Sequence, residues 1–113
     1  MANELLTLAD VLRRINEGLT DFMWQPATAA NDRGAYGDYP LHKVAIWGDI
    51  AAARILLDSG ADIDAIGEDG DTPLHRAAAA NQSAMVEFLK ARGANTQLKN
   101  RYGIPAWVPP QNA

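Results

Sequence analysis

Apolar residues recur at helical spacing in five short stretches of this chain, and each stretch is fenced by turn or capping chemistry. Leu8, Val11, Leu12, Ile15 and Leu19 fall on one helical face, while Arg13, Arg14 and Glu17 face away. Thr7-Leu8-Ala9-Asp10 supplies an N-terminal cap and Gly18 a stop. A short helix is predicted from about Pro40 to Trp47, because proline is tolerated in a first helical turn where its missing N–H costs nothing. Gly48-Asp49 turns the chain, and a second helix follows near Ile50–Ser59. Pro73 to Ala80, the turn Asn81-Gln82 and Ser83–Arg92 repeat that sentence. Gly60 and Gly93 stand where a helix ends in a left-handed residue. Ala61 to Gly70 has no helical period, so an extended or hairpin-like connector is predicted there.

The recurrence is a true internal repeat. Gly37-Asp38-Tyr39-Pro40-Leu41-His42 returns as Gly70-Asp71-Thr72-Pro73-Leu74-His75, an offset of 70 − 37 = 33 residues. Gly60-Ala61 returns as Gly93-Ala94 at the same offset, and residues 37–67 laid on 70–100 share ten identities without a gap. A third copy starts at Gly103 and reads Gly103-Ile104-Pro105-Ala106-Trp107-Val108 before Pro109-Pro110 would stop any helix.

Helix, tight turn, helix and finger-like loop every 33 residues resembles the ankyrin repeat. The residues that carry the resemblance are Gly-x-Thr-Pro-Leu-His at 70–75, the Ala77-Ala78 pair and Gly93-Ala94-Asn95, and it covers about 34–108. It implies an all-α short solenoid of about two full repeats with capping elements at both ends. The division expected is a capping helix and long loop at 1–33, repeats at 34–66 and 67–99, and a truncated repeat at 100–113, forming one domain. Tyr39 replaces the usual Thr and Val44 the first Ala. Gly34 and Gly67 stand where the family usually has Asp, which predicts that part of the loop hydrogen bonding is missing. Lys90 replaces the apolar Leu57, so that face of the second repeat is expected near water. Trp107, in the register of Leu41 and Leu74, is expected to be a buried plug.

Size and charge then narrow the function. At 113 residues the chain fits one domain, and 48% apolar with 21% charged residues is a globular balance. A net charge of −4 offers no basic footprint for nucleic acid. Without cysteine there are no disulfides, zinc–thiolate sites or thiol catalysis. No signal segment and no apolar run of membrane length is seen, so a cytoplasmic protein is expected.

Chemistry finds little purchase. His42 and His75 are the only histidines and share one register; the resemblance implies that each, with the neighbouring Thr, bridges backbone groups between repeats. Asp62-Ile63-Asp64 lacks the rest of a calcium loop, and Gly67-Glu68-Asp69-Gly70 is acidic where a phosphate cradle needs to be neutral or basic. No metal, cofactor or catalytic role is expected.

A binding surface remains. In proteins similar to this one, partners are gripped on the concave face by finger tips and the outward side of each first helix. The positions this implies are Tyr36, Asp38, Lys43, Trp47, Glu68, Asp69, Asp71, Arg76 and Tyr102, with Trp24 from the long N-terminal loop. That loop is about nine residues longer than its counterpart, so Phe22 and Trp24 either cover the end of the core or anchor a partner. Asp58, Asp62, Asp64, Glu68, Asp69 and Asp71 fall where no Lys or Arg intervenes between Arg54 and Arg76. Such an acidic finger suits a basic partner surface. Short stand-alone bacterial proteins of this kind include inhibitors of a toxin or enzyme, which makes a neutraliser the sharper expectation. An enzyme or ligand-binding protein using the N-terminal loop as a lid is the rival from another class.

Overall fold

In the computed structural model the described residues are 6–18, 29–34 and 37–108. They form five α-helices: α1 (Leu8–Gly18), α2 (Pro40–Trp47), α3 (Ile50–Asp58), α4 (Pro73–Ala79) and α5 (Ser83–Ala91). A single 3₁₀ turn, Glu68–Gly70, sits between α3 and α4. The only β-type pairing among the described residues is an isolated bridge between Lys99 and Pro105. The architecture is the all-α helix–turn–helix solenoid that the periodicity predicts. Helix α2 packs on α4, α3 on α5, and α1 lies against α3 and α2.

Local chemistry explains each boundary. Thr7 Oγ1 accepts the Asp10 N–H at 3.2 Å, and the Asp10 carboxylate accepts the Thr7 N–H at 3.0 Å, so α1 is capped reciprocally. Thr72 Oγ1 likewise accepts the His75 N–H at 3.3 Å. Asp49 caps α3 by accepting the Ala52 N–H at 3.0 Å. The turn between paired helices needs a left-handed residue, supplied by Gly48 (φ 73°) in the first repeat and by Asn81 (φ 58°) in the second. Gly48 has a second reason to lack a side chain. The Gln82 carboxamide lies against it and donates to the Ile46 carbonyl at 2.9 Å, and a Cβ on Gly48 would meet Gln82 Oε1 at 2.3 Å.

The connectors are three fingers of one design. In each, the first N–H donates to the carbonyl four residues on, and the fourth N–H donates back to the first carbonyl. The pairs are Gly34 to Asp38 and Gly37 to Gly34, Gly67 to Asp71 and Gly70 to Gly67, Asn100 to Ile104 and Gly103 to Asn100, all between 2.7 and 3.1 Å. The 33-residue step in sequence is therefore a step in space.

The core runs through the stack. Leu41, Val44, Ala45, Ala52, Ala53 and Leu56 from the first repeat join Leu74, Ala77, Met85 and Leu89 from the second. Val11, Leu12 and Ile15 of α1 close the N-terminal end, and burial of each such side chain contributes roughly 1.5–3 kcal/mol. The expected contribution of Leu19, and of Phe22, lies outside the described residues.

Two expectations are corrected. Trp107 is half-buried rather than a core plug, and Ala106 is the buried residue. The reason is that no helix begins at Pro105: the Ala106 and Trp107 N–H groups donate to the Leu98 and Thr96 carbonyls, an extended pairing that turns Trp107 outward. Its ring instead lies under Lys90, whose Nζ is 3.4 Å from the ring centroid, so the cation that replaces Leu57 is used as a lid on Trp107. Nor is the hydrogen bonding at Gly67 missing. Asp38 of the preceding repeat reaches the place an aspartate side chain would fill and accepts the Glu68 N–H at 2.9 Å. A Cβ on Gly67 would sit 2.5 Å from Asp38 Oδ1 and 2.7 Å from His42 Nε2.

That crowding gives a direct test. Gly67→Ala should destabilise the fold by about 2 kcal/mol through overpacking, read as a lower urea midpoint with an unchanged slope. An unchanged midpoint would show that Asp38 and His42 move aside at no cost.

Candidate functional site

The side chains expected on the concave face divide into a buried set and an exposed set. The buried set centres on Asp38, only 1% exposed. Arg76 grips it with both forks: Nη1 donates to Oδ2 at 2.7 Å and Nη2 to Oδ1 at 2.9 Å. Lys43 Nζ lies 3.1 Å from Oδ2. Arg76 also donates through Nε to Asp71 Oδ2 at 2.9 Å and through Nη2 to the Glu68 carbonyl at 3.0 Å. Asn100 of the third copy closes the group by donating to Asp71 Oδ1 at 3.0 Å. Asp38, Lys43, Asp71 and Arg76 are thus one charge network tying three repeats together. A carboxylate sunk this deep is not offered to a partner.

Electrostatics follow from that geometry. Burial alone would raise the Asp38 pKa, but hydrogen bonds from Arg76 and the Glu68 N–H, with the Arg76 charge, hold it below the usual 3.8. Burial would likewise weaken the charge on Arg76, and its bonds to Asp38 and Asp71 outweigh that, raising its pKa above the usual guanidinium value.

Both histidines are consumed by backbone. His42 Nδ1 accepts the Tyr39 N–H at 3.0 Å, which leaves Nε2 to donate to the Asp71 carbonyl at 2.8 Å. In the next register His75 Nδ1 accepts the Thr72 N–H at 3.0 Å, and Nε2 donates to the Ile104 carbonyl at 2.7 Å. Each ring stitches a helix start to the following repeat. Neither nitrogen faces a substrate, and among the described residues no group of three or more His, Asp or Glu could hold a metal.

The exposed set is smaller. Trp47 is 37% exposed at the end of α2, and the Arg14 guanidinium of α1 stacks over its ring at 5.3 Å while donating to Asp49 at 2.7 Å. Tyr102 is 65% exposed at the third finger, with Arg101 at 5.4 Å from its ring. Glu68 is exposed at the second finger, and Asp69 beside it takes a left-handed turn (φ 63°) and accepts from Arg101 at 3.1 Å. Tyr36 and Trp24 lie outside the described residues. Part of the acidic run is answered within the fold: Arg92 donates to Asp58 at 2.8 Å, Arg101 to Asp69, and Asp64 accepts the Asn95 N–H at 2.9 Å. Sequence reasoning did not find the role of Asn100, whose Oδ1 also accepts the Tyr102 and Ile104 N–H groups. Its signal was available, since Asn100 is the third-copy counterpart of Gly34 and Gly67.

A two-helix unit repeated with finger loops and stitched by one histidine per unit defines a repeat scaffold of the ankyrin type. Comparison agrees: residues 41–89 match the family described as ankyrin repeats (many copies). Over those residues, fewer than half of the chain, it is similar to ankyrin-repeat proteins. It is 40% identical over 58 residues to the Ankyrin repeat and LEM domain-containing protein 1 homolog of Caenorhabditis elegans, covering 51% of this chain and 8% of that protein. It is 38% identical over 78 residues to the Ankyrin repeat and KH domain-containing protein mask of Drosophila melanogaster, covering 66% of this chain and 2% of the relative. An ankyrin repeat protein of Fowlpox virus (strain NVSL) is 43% identical over 61 residues, covering 53% and 15%. The chain therefore spans a small fraction of the length of these relatives. They are animal and viral proteins, and they lend no support to the bacterial source expected from the sequence.

Two predictions rest on the network. Asp38→Ala removes the carboxylate that Arg76 and Lys43 share at the most deeply buried point of the network, so it should cost about 3 kcal/mol of unfolding free energy in urea, far more than removing an exposed carboxylate. The second concerns pH. Burial lowers the His42 pKa below 6.5, against the raising influence of its bond to the Asp71 carbonyl. As pH falls through 6.5 the unfolded chain takes up a proton that the folded ring resists, so stability held at neutral pH declines. The urea midpoint should fall between about pH 7 and pH 5, and His42→Gln should flatten that slope. The lowered pKa of Asp38 adds its own loss of stability mainly as pH falls through 3.8 and below, under the histidine window.

Proposed function

We propose that the chain binds a partner protein through its concave ankyrin face, with finger tips and the ends of the first helices making contact. The observation that carries this is the division of labour on that face. Asp38, Lys43, Asp71 and Arg76 neutralise one another below the surface, while Trp47, Glu68 and Tyr102 stand exposed above them. A pre-ordered base reduces the entropy lost when the exposed side chains engage, and aromatic residues are the types that dominate interface energetics. Tyr36 and Trp24 belong to the same proposed surface. Asp69 and Glu68 at the second finger favour a partner with a basic patch; where that patch is an active site, docking would neutralise the enzyme. No helix among the described residues is long and apolar enough to cross a membrane. We further propose that the encounter takes place in the cytoplasm, a reducing compartment in which a chain without cysteine loses nothing.

The test is co-purification from the source cell with the intact chain and with a Trp47→Ala, Glu68→Lys, Tyr102→Ala variant. Glu68 and Tyr102 are exposed, while Trp47→Ala gives up the Arg14 stack, so the variant should unfold with the parent's slope at a urea midpoint lowered by the equivalent of about 1 kcal/mol or less and keep the parent's helix content. It should hold the partner at least about tenfold more weakly, the cost of losing an aromatic hot spot and a favourable charge. Equal retention by both chains places the interface elsewhere.

A further inference from the structure

Beyond the second repeat, no helix among the described residues covers the side of α4 and α5 that faces residues 104–108. A groove of about 710 Å³ runs between α4, α5 and residues 104–108, with Ala78, Ala79 and Val86 along the helices and Ile104, Trp107 and Val108 opposite. One register earlier the same surface is closed. His42, Ala45 and Ala53 have no exposure because α4 and α5 lie on that side, whereas Ala78, the counterpart of Ala45, is only half-buried. The groove therefore continues an interface that the molecule already contains. In the closed copy the occupant is a short helix that turns Leu74 and Ala77 inward.

Another repeat of the same kind is a poor occupant, because both polar links between repeats stop here. The first is the carboxylate at Asp38 or Asp71, which bonds to the next finger; in the third copy that register holds Ile104. The second is the ring of His42 or His75, which donates to the next carbonyl; that register holds Val108. Ile104 and Val108 are 54% and 51% exposed. The third copy thus turns apolar side chains outward where the first two copies carry polar links. Head-to-tail stacking of a second copy is also blocked, since Val11, Leu12 and Ile15 of α1 already cover the opposite end. The groove lining carries carboxylates, Asp71 and Glu87, and neither Lys nor Arg. Asp71 is held by Arg76 and Asn100, while the Glu87 side chain stands well exposed, 3.6 Å from Lys90.

We propose that this end face docks an amphipathic helix of a partner protein, with leucine and alanine along its buried stripe and a lysine or arginine at its edge facing Glu87. The groove shares Asp71 and Asn100 with the concave network but none of Trp47, Glu68 and Tyr102, so either proposal can fail while the other stands.

The probe is a fluorescein-labelled stapled helix of about four turns, with Leu and Ala at i, i+3, i+4 and i+7 and Lys on its flanks, titrated into the full chain by anisotropy. Ile104→Asp and Ala79→Arg change exposed positions, so both variants should keep the parent's thermal midpoint, and each should weaken binding at least about tenfold. Trp47→Ala should bind the probe as the parent does, and a probe with Glu flanks should bind about fivefold more weakly. Equal binding by the groove variants overturns the proposal, and so does indifference to the flanking charge. Two further outcomes would overturn it by naming a different occupant: a dimer in sedimentation that Ile104→Asp dissociates, or probe binding that appears only after residues 109–113 are removed.

Discussion

The Asp38 carboxylate is nearly sealed from water yet remains ionised, and that is tolerable only because Arg76, Lys43 and the Glu68 N–H converge on it from two repeats. A buried charge without partners would cost several kcal/mol. The positions of α2, α4 and the second finger are therefore coupled: none can shift without loosening this contact. Gly67 is bound by the same constraint, because the space its side chain would take belongs to Asp38. His42 works alongside, fixing the start of α2 to the Asp71 carbonyl. One ion-pair cluster and one imidazole per register convert a sequence repeat into a rigid spatial step.

That rigidity shapes how the protein can act. With so many charged residues spent internally, the proposed partner surface draws on what is left outside, here Trp47, Glu68 and Tyr102. Arg14 stacking on Trp47 further ties the capping helix to this surface, so the α1 cap both closes the core and orients an interface candidate. The C-terminal end follows a different logic. Its polar links are replaced by Ile104 and Val108, and the apolar register that should continue into a helix instead runs as an extended segment.

Much of the fold was legible in the chain because it is built from local signals used twice. Pro40 and Pro73, Gly60 and Gly93, and the two histidines each mark a boundary by backbone chemistry that needs no distant partner. Helix limits agreed to within a residue or so for that reason. The candidate site was less legible. Asp38, Lys43, Asp71 and Arg76 occupy registers that face outward in a helix or finger, and nothing in their spacing says that they meet one another across repeats. Trp107 was misjudged for a related reason: register alone places it inward, but with Pro109 and Pro110 ahead no helix forms to hold it there.

The sequence by itself determined the repeat length, the helix pairs and the structural use of both histidines. These depend on contacts within one register or between equivalent atoms one register apart, so periodicity encodes them. Only the tertiary structure decided which charges are spent inside the stack, that Asp38 takes the place of the side chain Gly67 lacks, and that the last repeat leaves an apolar groove open. Those outcomes depend on non-equivalent side chains from successive repeats meeting in one volume, and a single chain position carries no record of what its neighbour in space will be.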